Sequence, residues 1–429
     1  MKQTITHCVA VLVALTLFAS CGNNVNQPQN NAQDTVKKDS TKFDSAKSKQ
    51  ASRPINTDLN NMARFIAGME IPDGSKFDTL KKNNEWKNYS KSLNDNWAKA
   101  DSTKIQKMKP WAQTELAPLQ TKALFYPFAG ADMLNAYTLF PRAQKYFLVG
   151  LEPVGTPPDF KKIAEAKELD HYFNAVKQSI STILNFSFFR TKAMATEFRQ
   201  TDVNGTIHVI LLFLERTGNS IIDIKPVAVN SRGELVTYST FEESHKDSLK
   251  NKGAEIDFVS ADSVEHSAIY FSINLVNSSF AQNEGFKTFI KNQGADITYL
   301  KSASYLMHKD YFSDIRTTIL QNSRAILQDD SGMPWKYLND GAHDITLYGT
   351  YKGPISLFSM NMQKDLDSTY KKEAANVKAL PFGIGYKYRQ GESNLMLAVK
   401  NKNVPTKISA ATSEEIKTTH AEKEIPSRK

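Results

Sequence analysis

Phe125 to Gly155 reads FYPFAGADMLNAYTLFPRAQKYFLVGLEPVG, and this stretch decides the fold. Its opening apolar run extends back to Lys122 (Lys122 to Phe128, KALFYPF) and is short, unbroken and aromatic-rich, as expected of a strand buried on both faces. Gly130 then allows a turn, Ala131 to Phe140 carries the spacing of a helix, and Lys145 to Leu151 (KYFLVGL) is a second buried run. Strand, helix and strand in so short a span is the unit from which parallel sheets are built.

Working outward toward the carboxyl end, the alternation continues. Asp159 to Leu184 reads as an amphipathic helix. Gly205 to Glu215 (GTIHVILLFLE) and Ser220 to Asn230 (SIIDIKPVAVN) read as neighbouring strands across the turn Thr217-Gly218-Asn219, which makes the sheet mixed. Ala268 to Val276 is a strand, Gly285 to Lys291 a short helix, and Asp296 to Met307 a strand leading into another element. Phe312 to Gln321 is a helix, Ala325 to Gln328 a strand, and Asp344 to Tyr351 a last strand. The expected fold is therefore an α/β body over residues 120–410, with a mixed, largely parallel sheet flanked by helices. Toward the amino end, residues 54–119 form a helical section. There Trp86, Tyr89, Leu93 and Trp97 share one helical face, and Pro110 and Pro118 are expected to stop helices. That aromatic stripe reads as core-facing rather than as a sugar platform.

Residues 1–20 have the grammar of an export signal: Lys2 at the start, an apolar run from Cys8 to Phe18, and the small pair Ala19 and Ser20. The run is shorter than the roughly 20 apolar residues a bilayer span needs. Leu17-Phe18-Ala19-Ser20-Cys21 resembles a lipobox, in which the cysteine is acylated and becomes the first mature residue. Phe18 departs from the usual small aliphatic residue. Cys8 and Cys21 are the two cysteines of the chain, so removal of the signal leaves no pair for a disulfide. Residues 21–53 are polar and read as a tether that cannot bury enough apolar surface to fold, and residues 411–429 as a second such end. The chain is thus expected in the cell envelope as a lipoprotein held to the membrane through Cys21. The absence of an acidic cluster after that cysteine favours the outer membrane facing the periplasm.

The formal charge of +9 comes from 54 Lys and Arg against 45 Asp and Glu, without a block of like charges. That pattern excludes a nucleic-acid stripe. The expected partner is an envelope protein or a glycan.

The segment that decides the fold also places chemistry. A strand ending at Tyr126, a turn at Gly130 and Asp132, and Glu152 at the end of the next strand resemble the first unit of S-adenosylmethionine-dependent methyltransferases. That resemblance, over residues 122–155, implies Gly130 and Asp132 as turn residues and Glu152 as an acceptor for ribose hydroxyls. The turn holds one glycine where a fingerprint has two or three, and soluble nucleotides are scarce outside the cytoplasm, so no cofactor is expected. The same segment, with DDSGMP (Asp329 to Pro334) and LYGTY (Leu347 to Tyr351), resembles a family of uncharacterised bacterial envelope lipoproteins.

Lys301, Ser302, Ser304, Tyr305 and His308, followed by Arg316, Asp329 and Asp330, contain the residue types of a hydrolase triad. No Gly-x-Ser-x-Gly elbow accompanies them, and Ser368-Thr369-Tyr370-Lys371 lacks the companions of a Ser-x-x-Lys site. Asp329 and Asp330 offer hard oxygen ligands, yet on a strand end they point to opposite faces, and Asp330-Ser331-Gly332 reads as a turn capped by its aspartate. The eight histidines show no zinc spacing, and no metal is expected. Trp335, Tyr337, Tyr348 and Tyr351 either line a pocket for a glycan or peptide or close the sheet edge. A binding module without catalysis is the first expectation; a degenerate methyltransferase-like domain and an envelope hydrolase are the alternatives.

Overall fold

A computed structural model of the chain describes residues 53–119, 121–165, 169–186, 204–249, 251–293 and 296–401. Residues 1–52, which hold the expected signal, Cys21 and all but the last residue of the expected tether, lie outside the described residues, as do the tail of residues 411–429 and the last nine residues of the expected body. Arg53, read as the end of the tether, is described and pairs with Asp257 and Glu265.

Ten strands form one sheet: β1 (Ala123–Pro127), β2 (Lys145–Gly150), β3 (Ser220–Val229), β4 (Leu235–Thr237), β5 (Asn251–Val259), β6 (Glu265–Ser272), β7 (Ile297–Leu300), β8 (Ala325–Gln328), β9 (His343–Gly349) and β10 (Asn394–Lys400). Their order is β4-β3-β5-β6-β2-β1-β7-β8-β10-β9. The α/β class and the mixed sheet are as expected, but the sheet is not largely parallel: five of its nine strand pairings are antiparallel, and the parallel part is confined to its middle, where β6, β2, β1, β7 and β8 pair in parallel. Antiparallel arms extend both edges, through β5, β3 and β4 on one side and β10 and β9 on the other. Counted in chain order, the five parallel strands lie 3-2-1-4-5, the doubly wound order. The winding reverses between β1 and β7, and a crevice at the carboxyl ends of the strands is expected there.

Alternate residues of each strand feed two core layers, as the period of two requires. Leu124, Tyr126, Tyr146, Leu148, Tyr270 and Tyr299 face one layer, and Phe125, Phe147, Val149, Ile269 and Phe271 the other. The helical amino-terminal section belongs to the first layer. Its Trp86, Tyr89 and Leu93 are buried on the helix Asn84–Ala100, and Tyr89 stacks on Phe173 at 4.4 Å. The aromatic stripe is core-facing, as expected. The second layer is covered by Glu284–Gln293 and Ser313–Asn322.

Three expectations need correction. Gly205 to Glu215 is not a strand: Thr206–Arg216 is an α-helix, buried from Thr206 through Glu215. A run that is apolar on every side has no period to read, so helix and strand look alike in sequence. The turn at Thr217-Gly218-Asn219 is real, but it ends this helix, with Gly218 at φ +85°, and leads into β3. Pro110 does not stop a helix: it lies inside Gln106–Glu115, just after a π turn at Asp101–Ile105. It is exposed, on the solvent side of the helix, where the carbonyl left without an N–H partner is not sealed in the core. Asp344 to Tyr351 is not the last strand, because β10 follows and inserts between β8 and β9. The expected helix over Asp159 to Leu184 appears as Phe160–Glu165 and Leu169–Phe186 on either side of residues 166–168, which are not described.

Candidate functional site

The reversal of winding brings together the loops after β1, β2, β7 and β8. Asp132 lies after β1 and caps the helix Met133–Leu139, its Oδ1 accepting from the Asn135 amide at 3.1 Å. Its Oδ2 accepts from the Tyr126 hydroxyl at 2.8 Å and faces Lys301 Nζ at 2.8 Å. The side chains of Asp132 and Lys301 are 1% and 2% exposed. This buried ion pair ties the β1 loop to the β7 loop across the switch point. Lys104, from the π turn of the amino-terminal section, approaches the pair; burial first and then the Lys301 charge bring its amine down to about 8. Tyr299 packs its ring 4.5 Å from Tyr126, and its buried hydroxyl has no hydrogen-bond partner among the described residues.

Glu152, at the end of β2, is wholly buried. Its Oε2 accepts from the Leu151 amide at 3.0 Å and from the Tyr270 hydroxyl at 3.2 Å. Gly130 sits at φ +56°, and a Cβ there would lie 3.0 Å from Glu152 Oε1. The close approach that the glycine permits is therefore made by Glu152 itself, in the space where the methyltransferase resemblance implies ribose. A cavity of about 370 Å³ lined by Pro153, Val154, Gly155, Phe241 and Lys252 opens beside Glu152, toward the antiparallel β5, rather than over the Gly130 turn.

The β7 loop is strained and firmly held. Ser302, Ser304 and Tyr305 have φ of 51°, 52° and 54°, and Phe128 in the β1 loop has 61°. A left-handed backbone on residues with a Cβ is unfavourable, and such residues cluster at functional sites. The loop after β8 pins them. Asp329 Oδ2 accepts from the Ser302 amide at 2.9 Å, Ser331 Oγ from the Ala303 amide at 2.8 Å, and Asp330 Oδ2 from the Tyr305 hydroxyl at 2.5 Å. From the β9–β10 connection, Tyr386 donates to the Ser302 carbonyl at 2.9 Å and lies 2.8 Å from Ser304 Oγ. Gly385, at φ +69°, presses against Asp329, where a Cβ would fall 2.2 Å from Oδ2. Burial and the neighbouring Asp330 push the Asp329 carboxyl up to about 6.

The expected turn after β8 exists, but the capping aspartate is Asp329, whose Oδ1 accepts from the Ser331 amide at 3.0 Å. Asp330 points the other way, as alternation demands, and accepts from Asn394 Nδ2 at 2.9 Å. Ser, His and Asp do not assemble into a relay. Ser304 meets Tyr386, while Ser302 Oγ and His308 Nε2 have no hydrogen-bond partner among the described residues. Burial, with Lys309 and Arg316 nearby, lowers the His308 imidazole to about 4 and keeps it neutral. Arg316 is structural here: it donates to the Met307 carbonyl at 2.8 Å and lies 4.7 Å over the Tyr337 ring. Trp335 and Tyr351 pack in a small core with Leu366 and Met396, whereas Tyr348 faces Trp111 across the sheet. The aromatic group is thus divided between two faces. Among the described residues no group of three His, Cys, Asp or Glu is placed to hold a metal ion. Lys104, Tyr270, Tyr386 and Asn394 carried no readable signal, because each reaches the site from another element, whereas Tyr299 lies on β7 two residues before Lys301.

No protein-family model matches the chain, and no curated protein or solved structure is significantly similar to it.

Proposed function

We propose that the chain is an envelope lipoprotein, tethered through Cys21, whose body is a binding module on a degenerate methyltransferase-like frame. The doubly wound 3-2-1-4-5 order of the parallel strands supports the frame. The buried Asp132–Lys301 pair and the inward Glu152 carry the rest of the reading. Groups that would bind a nucleoside are spent on holding loops together, and a ligand would have to separate two charges that are out of water. The module then works through its surface, on an envelope protein or glycan. We assign anchoring to Cys21 on its lipobox-like context, Leu17-Phe18-Ala19-Ser20-Cys21; no helix of the described residues is long and apolar enough to cross a membrane.

The purified protein is expected to show no thermal shift with adenosine, S-adenosylmethionine or S-adenosylhomocysteine. A saturable shift that disappears in Glu152→Gln would replace this reading with nucleoside binding. Metabolic labelling with a fatty acid is expected to place lipid on Cys21, and label that is absent from the parent chain or that persists in Cys21→Ala would remove the tether.

A further inference from the structure

Among the described residues six large apolar side chains stand exposed: Ile55, Leu151, Tyr311, Leu357, Met360 and Met362. The last four belong to one rim. Ser356–Asn361 is a short 3-10 segment without a buried residue, and Lys309 Nζ, 3.3 Å from Asn361 Oδ1, joins it to the loop that bears Tyr311. Phe358 anchors the segment on Tyr305 and Tyr386, with ring centroids 5.3 and 5.0 Å away. That leaves Leu357 80% and Met360 94% exposed at the carboxyl end of the sheet. Lone exposed apolar residues need no explanation, but a protruding group of them marks a contact surface. The flanking sequence is basic on balance: residues 305–312, 350–365 and 380–392 carry Lys309, Lys352, Lys364, Lys387 and Arg389 against Asp310, Asp365 and Glu392.

We propose that this knob docks on an anionic bilayer, with Leu357 and Met360 entering the headgroup boundary and the lysines meeting lipid phosphates, while Met362 turns its sulfur back to the Tyr351 hydroxyl and supports the tips. Apolar tips ringed by cations are what an interfacial contact requires, and unbranched methionine adapts to fluid lipid. The inference rests on the tether at Cys21, which keeps a bilayer within reach of the body. Its consequence is an orientation: the switch-point loops face the membrane and the amino ends of the parallel strands face away.

The test uses the full chain, isolated from membranes and reconstituted into vesicles of phosphatidylethanolamine and phosphatidylglycerol. An environment-sensitive dye is placed on Met360→Cys, or on Lys291→Cys at the opposite end of the sheet. At position 360 the emission is expected to shift to the blue and to be quenched by brominated lipid. Both effects should be lost on adding Leu357→Ser or on replacing phosphatidylglycerol with phosphatidylcholine, and position 291 should stay water-like. A water-like signal at position 360 in anionic vesicles, or equal signals at both positions, overturns the proposal and leaves a protein partner as the occupant of the knob. Fatty-acid labelling of Cys21 reads the tether separately, so a labelled chain with a dry knob signal missing means that the anchor holds and the docking does not.

Discussion

Lys301 Nζ and Asp132 Oδ2 lie 2.8 Å apart at the point where the sheet reverses its winding, with both side chains out of water. Breaking such a pair from one side strands a buried charge, which costs about 3–5 kcal/mol. Lys301→Met is therefore expected to lower stability by about that amount, and adding Asp132→Asn should recover part of it. Urea unfolding of the two single variants and the double variant measures the coupling. Additive losses would mean that the pair does not hold the loops.

Ser302 combines a left-handed backbone with a hydroxyl that has no hydrogen-bond partner among the described residues. Ser302→Gly removes the Cβ strain and forfeits no such bond, so a gain of about 0.5–1 kcal/mol is expected. Ser304→Gly should gain less, because it gives up the contact with Tyr386. Thermal denaturation of the two variants side by side checks the order.

Tyr386→Phe removes the donor to the Ser302 carbonyl as well as the contact with Ser304. A loss of about 1–2 kcal/mol is expected, together with faster amide exchange in residues 302–305. Unchanged exchange there would show that the loops after β8 suffice to hold the strained backbone.

Burial holds the Glu215 carboxyl up at about 8, against an ordinary value of 4.5, with Arg64 opposing the shift. Between those values the folded chain keeps a proton that the unfolded chain has released. Stability therefore falls as pH rises through this window, by at most about 1.4 kcal/mol per pH unit. Glu215→Gln abolishes the dependence: it should differ least from the parent near pH 5 and lead it increasingly up to pH 8. His208, lowered to about 4 by burial, contributes the reverse slope below its ordinary 6.5 in both proteins and cancels in the comparison. Urea midpoints at pH 5, 6.5 and 8 give the answer, and parallel curves would refute the assignment.

The sheet's centre was legible because parallel strands buried on both faces make continuous apolar runs: β1, β2, β7 and β8 all fall inside such runs. The antiparallel arm was harder to read. In β5, NKGAEIDFV mixes Gly253, Glu255 and Asp257 with apolar residues, because Lys225 and Arg53 pair with those carboxylates from elsewhere in the chain. For the site, the strand-end position of Gly130, Asp132, Lys301, Asp329 and Asp330 was visible in the alternation of elements. What these residues do to one another was not. That Asp132 meets Lys301, and that Tyr270 holds the inward Glu152, depends on pairings between segments more than 100 residues apart.

The helix Thr206–Arg216 has a consequence for how the chain reaches its folded state. Its burial is completed by partners from far upstream: Arg216 hydrogen-bonds Asn94 Oδ1 at 2.7 Å and the Ala67 carbonyl. Until the amino-terminal section has docked, the run from Ile207 to Leu214 presents apolar surface in every direction. In the unfolded chain this run is an exposed apolar segment of the kind that chaperones bind and that aggregates. How soon residues 57–115 dock on this helix, a contact that spans 122 residues of sequence between Asn94 and Arg216, then sets how long the unfolded chain keeps that surface open.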